Sequence, residues 1–224
     1  MMTLARKAIL TALVLASVFP AGARAKDQEE QPARAAKEIR VAVLPLMNGT
    51  QEALASQVVN EALQGELKDA AAGKATFLLP SDTERILSSL NAFDRAYRIA
   101  ERWSHDASLD SSAIVGLDTL LVSDAVLCVK ISEWEIKRIT QIGAGQSYTI
   151  VGLSFALYDI RSKKLLWKKE AREQRLAPEY DVSSGQVSYD ETGQIQSRST
   201  NEPPRPKDVT EDLIRSAFKK FPRA

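Results

Sequence analysis

Residues 39–50 read IRVAVLPLMNGT, and the fold follows from how that run begins and ends. Ile39 to Met47 is β-branched and apolar, as suits a strand buried in a sheet, and Asn48-Gly49-Thr50 is the turn signal that closes it. The period then changes. Leu54, Val58, Ala62, Leu63 and Leu67 recur at helical spacing, while Gln57, Asn60, Glu61, Gln64 and Lys68 fill the other side. Gly73 stops this helix, and residues 74–79 (KATFLL) read as a second strand. A strand, a helix and a strand in that order predict a parallel pair joined by a right-handed crossover.

Working outward, Ser81 followed by Glu84 fits a capping box, and Ile86, Leu87 and Leu90 form the apolar side of the helix it opens. A second helical stretch carries Phe93, Ala96, Tyr97, Ala100 and Trp103 after a kink near Asn91, and residues 104–108 break it. Ala113, Ile114, Leu117, Leu120 and Leu121 give a short helix. Residues 125–134 (AVLCVKISEW) are apolar on both faces in their first half, which places this strand inside the sheet. Alternation puts Val151, Leu153, Phe155 and Leu157 on one face of a strand over 148–160, and Leu165 and Trp167 on one face of a strand over 164–173. The turn-rich residues 159–163 between them predict an antiparallel hairpin. A closing helix over 206–221 buries Val209, Leu213, Ile214, Ala217 and Phe218. The order β-α-β-α-α-β-β-β-α predicts a single α/β domain over residues 38–221, of two or three layers, with one mixed sheet of about five strands and helices packed on it.

The ends read differently. Arg6 and Lys7 precede a dozen almost wholly apolar residues, Ala8 to Phe19, and Ala23-Arg24-Ala25 follows Pro20. This is the arrangement of a secretory signal peptide over residues 1–25, with cleavage expected between Ala25 and Lys26. The apolar run is well short of the ~20 residues a membrane span requires, and the only cysteine, Cys128, is too far downstream to carry a lipid at the cleavage site. An exported protein that is not lipid-anchored, located in a periplasm, is the expectation. Residues 26–37 (KDQEEQPARAAK) lack large apolar side chains and read as a flexible lead-in. Residues 177–207 read as a long mobile loop, with a small hairpin in which Val187, Tyr189 and Ile195 flank residues 190–193. Loops of this length are uncommon and are usually functional or disordered. Tyr180, Tyr189, Pro203, Pro204 and Arg205 are therefore candidate partner-docking residues, because short extended segments can add a strand to a partner's sheet or order on contact with it.

The chain has 224 residues, 30 Lys and Arg against 29 Asp and Glu, and a formal net charge of +1. No long basic run gives nucleic acid or an anionic membrane a reason to bind. With His105 the only histidine and Cys128 the only cysteine, no metal cluster of those residues and no disulfide can be assembled, and no cofactor is expected.

Each remaining candidate has a plain structural reading that outweighs the functional one. Gly143-Ala144-Gly145-Gln146-Ser147 lacks the Lys-Ser/Thr pair and following helix of a phosphate loop and reads as a hairpin turn. Asn48-Gly49-Thr50 is formally a glycosylation acceptor but reads as a strand-to-helix turn. His105 beside Asp106 could form an oriented base, yet reads as a solvated loop histidine. Cys128 reads as a small buried hydrophobe. Glu133 with Glu135, and Asp190 with Glu191, could imitate hydrolase acids but read as wet surface. Lys163, Lys164, Lys168 and Lys169 form a basic hairpin end, read as solvated, and Trp134 and Trp167 read as packing beneath helices rather than stacking on sugars.

Three segments carry a resemblance: VAVLPLMNGT at the first strand, SDAVLCVKISEW at the third and YDIRSKKLLW across the last hairpin. They resemble a group of bacterial envelope proteins that includes the periplasmic domain of the curli secretion channel, related lipoproteins of uncharacterised type, the lipoprotein activators of penicillin-binding proteins and, more distantly, the N-terminal domain of TolB. The resemblance covers residues 39–173 and departs from the lipoprotein members in lacking the lipid-bearing cysteine. It implies a non-enzymatic periplasmic protein acting in cell-envelope assembly or secretion by docking to other envelope proteins, with homo-oligomerisation left open. A periplasmic hydrolase or carbohydrate-modifying enzyme using surface carboxylates is one alternative. A small-ligand-binding module with Trp134 or Trp167 as a stacking wall is another.

Overall fold

The first strand, β1 (Ile39–Val43), is paired on both edges, in parallel with β3 (Ala75–Leu78) on one side and with β4 (Ala125–Lys137) on the other. The computed structural model describes residues 38–109, 112–139, 146–178 and 202–222, together with the backbone of Ser188–Tyr189 and Ile195–Gln196. Val41 and Val43 enter one apolar layer, Ala42 and Leu44 the opposite one, which is the double burial expected of this strand. Asp124 fixes the start of β4 by accepting the Arg40 amide on its carboxylate at 3.1 Å and donating its own amide to the Arg40 carbonyl at 2.8 Å.

A two-residue strand, β2 (Met47–Asn48), also pairs in parallel with β4. β5 (Tyr148–Asp159) runs antiparallel to β4, and β6 (Leu165–Leu176) antiparallel to β5. The sheet therefore has six strands in the order β3-β1-β4-β5-β6, with β2 beside β4. This is the mixed α/β sheet expected, with one strand more, since two residues are too few to show a period. β7 (Ser188–Tyr189) and β8 (Ile195–Gln196) form a separate antiparallel hairpin at the place expected for one.

Helices cover both faces. α1 (Ala53–Ala70) and α5 (Pro206–Phe218) lie on one side; α2 (Pro80–Ser89), α3 (Phe93–Asp106) and α4 (Leu117–Leu121) lie on the other. The entry to α1 is set by Asn48, whose side chain accepts from the Thr50 amide and hydroxyl and donates to the Glu52 carbonyl. Gly49 is required here, because a Cβ would sit 2.8 Å from the Ile131 carbonyl oxygen.

Local details differ from the sequence reading in four places. The buried stripe of α1 follows the strict four-residue row Ala55, Val59, Leu63 and Leu67, with Ala62 beside it, and Leu54 is 70% exposed. The large Leu54 drew the expected stripe one residue off the row that packs. The capping box at Ser81 and Glu84 does not form: α2 starts at Pro80, whose missing N–H suits the first helical position, and no side chain caps it. Leu165 does not share the covered face of Trp167, because a bulge between Leu157 and Tyr158 breaks the alternation and leaves Leu165 half exposed. The kink near Asn91 is a full break between α2 and α3, with Asn91 in the left-handed region at φ 52°.

The α1/α5 layer is aromatic. Phe218 stacks on Phe221 at 5.1 Å and meets Phe155 edge-on at 5.3 Å, Trp167 at 5.2 Å and Phe77 at 6.1 Å. Such ring pairs contribute about 0.5–1.5 kcal/mol each beyond their buried area. The opposite layer uses smaller strand residues, Ala42, Val126, Cys128 and Ala156, under Ile99, Trp103, Ile114 and Leu117.

Candidate functional site

On the second face the helices cover one end of the sheet, where Ala156 and Tyr158 of β5 join their apolar layer. α2 packs on β1, and α3 on β2 and β4. Beyond α3 the face continues over the far halves of β4, β5 and β6 with polar side chains. The register sets Gly152 of β5 between Glu133 and Arg172, and Ser154 between Lys130 and Glu170. Lys168 follows on β6, opposite Ala156.

Where this polar face meets the end of α3 there is an open cleft of about 480 Å³. Trp103, Ser104 and His105 form its α3 wall, Lys130, Ser132, Gly152 and Ser154 its floor, and Lys168, Glu170 and Arg172 its far side. Its cations are engaged inside the fold. Lys130 Nζ donates to the Ser104 carbonyl at 2.6 Å, in the last turn of α3, where a cation is favoured by the helix dipole. Arg172 grips Glu133 through two hydrogen bonds of 2.7 and 3.1 Å, which raise its already high pKa. Lys168 lies 3.2 Å from Glu170. Further along, the Tyr148 hydroxyl donates to Glu135 at 2.7 Å; this bond, and the negative charge behind it, hold the phenol above its ordinary pKa.

A bulge between Ile131 and Glu133 adds a residue to β4 beside Gly152. A Cβ on Gly152 would come within 2.9 Å of both Glu133 Cβ and Ser132 Oγ. The glycine lets the bulge close against β5 and brings Glu133 within reach of Arg172.

The outer edge of the sheet at this end is β6. It has twelve residues and pairs with β5 alone among the described residues. Its outer face and edge are exposed nearly throughout, including Leu165, Leu166 and Leu176.

The residues singled out in the sequence fall as follows. His105 lies in the last turn of α3, exposed and on the cleft rim, where a loop was expected. Glu133 and Glu135, considered as an acid pair, are committed to Arg172 and Tyr148; Asp190 and Glu191 lie outside the described residues. Cys128 is fully buried opposite Ala156, and desolvation pushes its thiol far up. Trp134 and Trp167 pack, half-buried, on the α1/α5 layer, the side away from the cleft. Lys163, Lys164, Lys168 and Lys169 are exposed.

Asn48 has its amide bound within the turn. Residues 143–145 lie outside the described set, whereas Ser147 is buried, its hydroxyl accepting from the Ile139 amide at 2.8 Å across the β4–β5 hairpin. Tyr180, Ala25 and Lys26 lie outside the described residues, and of Tyr189 only the backbone in β7 is described. Pro203 and Pro204 are half-buried and Arg205 is exposed. The Pro204 carbonyl accepts from Thr149 Oγ1 at 2.6 Å, and Glu202 pairs with Arg138 at 2.9 Å, so this end of the long connection is fastened to β5 and to the end of β4.

The sequence reading missed the cleft residues Lys130, Ser132, Ser154 and Arg172. Their signal is that polar residues occupy the same alternation phase in three consecutive strands.

No protein-family model matches the chain, and no curated protein does. Among solved structures, it is similar to the lipoprotein GNA1162 from Neisseria meningitidis at 18% identity and a TM-score of 0.45, over 65% of this chain and 89% of that one. It is similar to the PelC dodecamer from Paraburkholderia phytofirmans at 13% and 0.43, over 81% and 87%. It is also similar to the C-terminal domain of LpoB from Salmonella enterica at 14% and 0.36, over 61% and 83%. All three come from bacteria, and the likeness is one of backbone course alone.

Proposed function

We propose that this chain is an exported, non-enzymatic protein of the bacterial cell envelope that acts in assembly or secretion by docking to other proteins. The observation that carries this reading is β6, a twelve-residue edge strand beside a polar sheet face that no described helix covers. Unpaired backbone N–H and C=O groups along such an edge are a template for an added strand, and native proteins usually shorten or cover edges that have no partner. The sequence resemblance to the curli channel domain, the penicillin-binding-protein activators and the TolB domain supports the same class. The signal-peptide pattern ending at Ala25 supports a periplasmic location, and N-terminal sequencing of the mature protein should begin at Lys26.

A photo-crosslinking residue at Gln174, exposed on β6, should capture envelope proteins in intact cells, identifiable by mass spectrometry. The same residue at Gln57, exposed on α1, is the control. Equal capture at both positions would remove β6 as the docking element. Replacing residues 182–201 with a short Gly/Ser linker separates the edge from the candidate docking residues of the long connection. Loss of capture with unchanged thermal stability assigns docking to that connection instead.

A further inference from the structure

The exposed edge of β6 is self-complementary. Two copies of one strand placed antiparallel about a two-fold axis normal to the sheet put residues of the same face opposite each other, so each pair sums to an even number. β6 stays in regular register with β5 from Trp167 to Leu176, so this alternation holds along the strand. With the axis at Ala171, Glu170 falls opposite Arg172, Lys169 opposite Glu173 and Lys168 opposite Gln174. Trp167 falls opposite Arg175, and Leu166, at the bulge, opposite Leu176. Every charged residue from Lys168 to Arg175 then faces an opposite charge, an amide or an aromatic ring, and Leu166 and Leu176 face each other at the two ends.

Neighbouring registers fail. Moving the axis to Arg172 sets that arginine against its own copy and Lys169 against Arg175. Moving it to Glu170 sets that glutamate against its copy and Lys168 against Arg172. Like charges directly opposite are destabilising, so one register is selected and its neighbours are rejected.

We propose that the partner of β6 is a second copy of this chain, added antiparallel about a two-fold axis through Ala171 to make one continuous sheet across the dimer. The contact is isologous and closes on itself. It rests on the reading of β6 as a docking edge and names the occupant of that edge as the protein's own copy, which leaves the merged polar faces of two subunits as the surface open to other envelope proteins.

Oxidation of the Ala171→Cys protein tests this directly. Residues facing each other across an antiparallel pair lie within disulfide reach, and Cys128 is buried. The variant should become a covalent dimer under mild oxidation, whereas Lys168→Cys, several residues from its own copy, should not. In sedimentation velocity the unmodified protein should show twice the monomer mass, with self-association strengthened at low salt. Lys169→Glu places two like-charge pairs across the axis and should weaken association about tenfold. The double variant Lys169→Glu/Glu173→Lys should restore it while the circular dichroism of all forms stays the same. A protein that remains monomeric with no crosslink at Ala171→Cys overturns the proposal, and is the outcome expected if residues 179–201 or a foreign strand occupy the edge. A dimer indifferent to Lys169→Glu, or crosslinked equally at Lys168→Cys, overturns it as well.

Discussion

β5 and β6 are adjacent, twelve residues long each and joined by one short turn, yet they live in opposite surroundings. In β5, Val151, Leu153, Phe155, Ala156 and Leu157 are all inaccessible to solvent. In β6, exposed positions outnumber half-buried ones and nothing is fully buried. β5 has a strand on each side and α5 against it; β6 has one neighbour, and among the described helices only α5 packs on it, on one face. The difference teaches that burial here follows position in the strand order. One strand is spent on stability, and its equal in length is left available for contact.

Several substitutions would sharpen or break that contrast. Phe155→Ala removes a ring held between Trp167 and Phe218 and should lower unfolding stability by about 3–5 kcal/mol in chemical denaturation. A loss below about 1 kcal/mol would mean that the aromatic layer is not the core. Gly152→Ala should cost about 1–3 kcal/mol, because its Cβ would press on the Glu133 backbone nitrogen at 3.2 Å as well as on two side chains. Cys128, opposite Ala156, makes a pH-dependent version of the same point. Its folded pKa is raised above the unfolded value of about 8.5, so the stability it confers is full below that pH and declines above it, by about 1.4 kcal/mol per pH unit. Cys128→Ala should therefore remove part of the alkaline decline in the denaturation midpoint, and a thiol reagent should label the native protein only on unfolding. On β6, Gln174→Ala and Lys168→Ala should each change stability by no more than about 0.5 kcal/mol. A larger loss at either would erase the distinction between the strands.

The sequence showed the strands and their order better than the site. β1, β4 and β5 were legible because apolar runs and strict alternation survive any detail of packing. Val151, Leu153, Phe155 and Leu157 share one face as alternation requires. Where a bulge intervenes the period loses its phase, and Leu165 was assigned to the wrong environment. β6 continues past Glu173 to Leu176, where half-buried and exposed positions alternate but are filled mostly by charged and polar residues, so the sequence shows no apolar period to count. The cleft was hidden for another reason. Lys130, Gly152 and Arg172 come together only through the registers of β4, β5 and β6, and a register is fixed by pairing, which periodicity within one strand does not contain.

β1 has a temporal consequence as well as a spatial one. Its partners come late in the chain: Ile39 waits for Ala75, and Val41 waits for Ala125. The β4–β5–β6 meander, by contrast, pairs strands that are neighbours in the sequence, the kind of local contact that closes fast. Folding should start in the meander and end when β1 slots between β3 and β4. Substitutions in β5 such as Phe155→Ala should then slow the folding limb of a chevron, while Val41→Ala should mainly quicken unfolding. The first strand written in the sequence would be among the last to find its place.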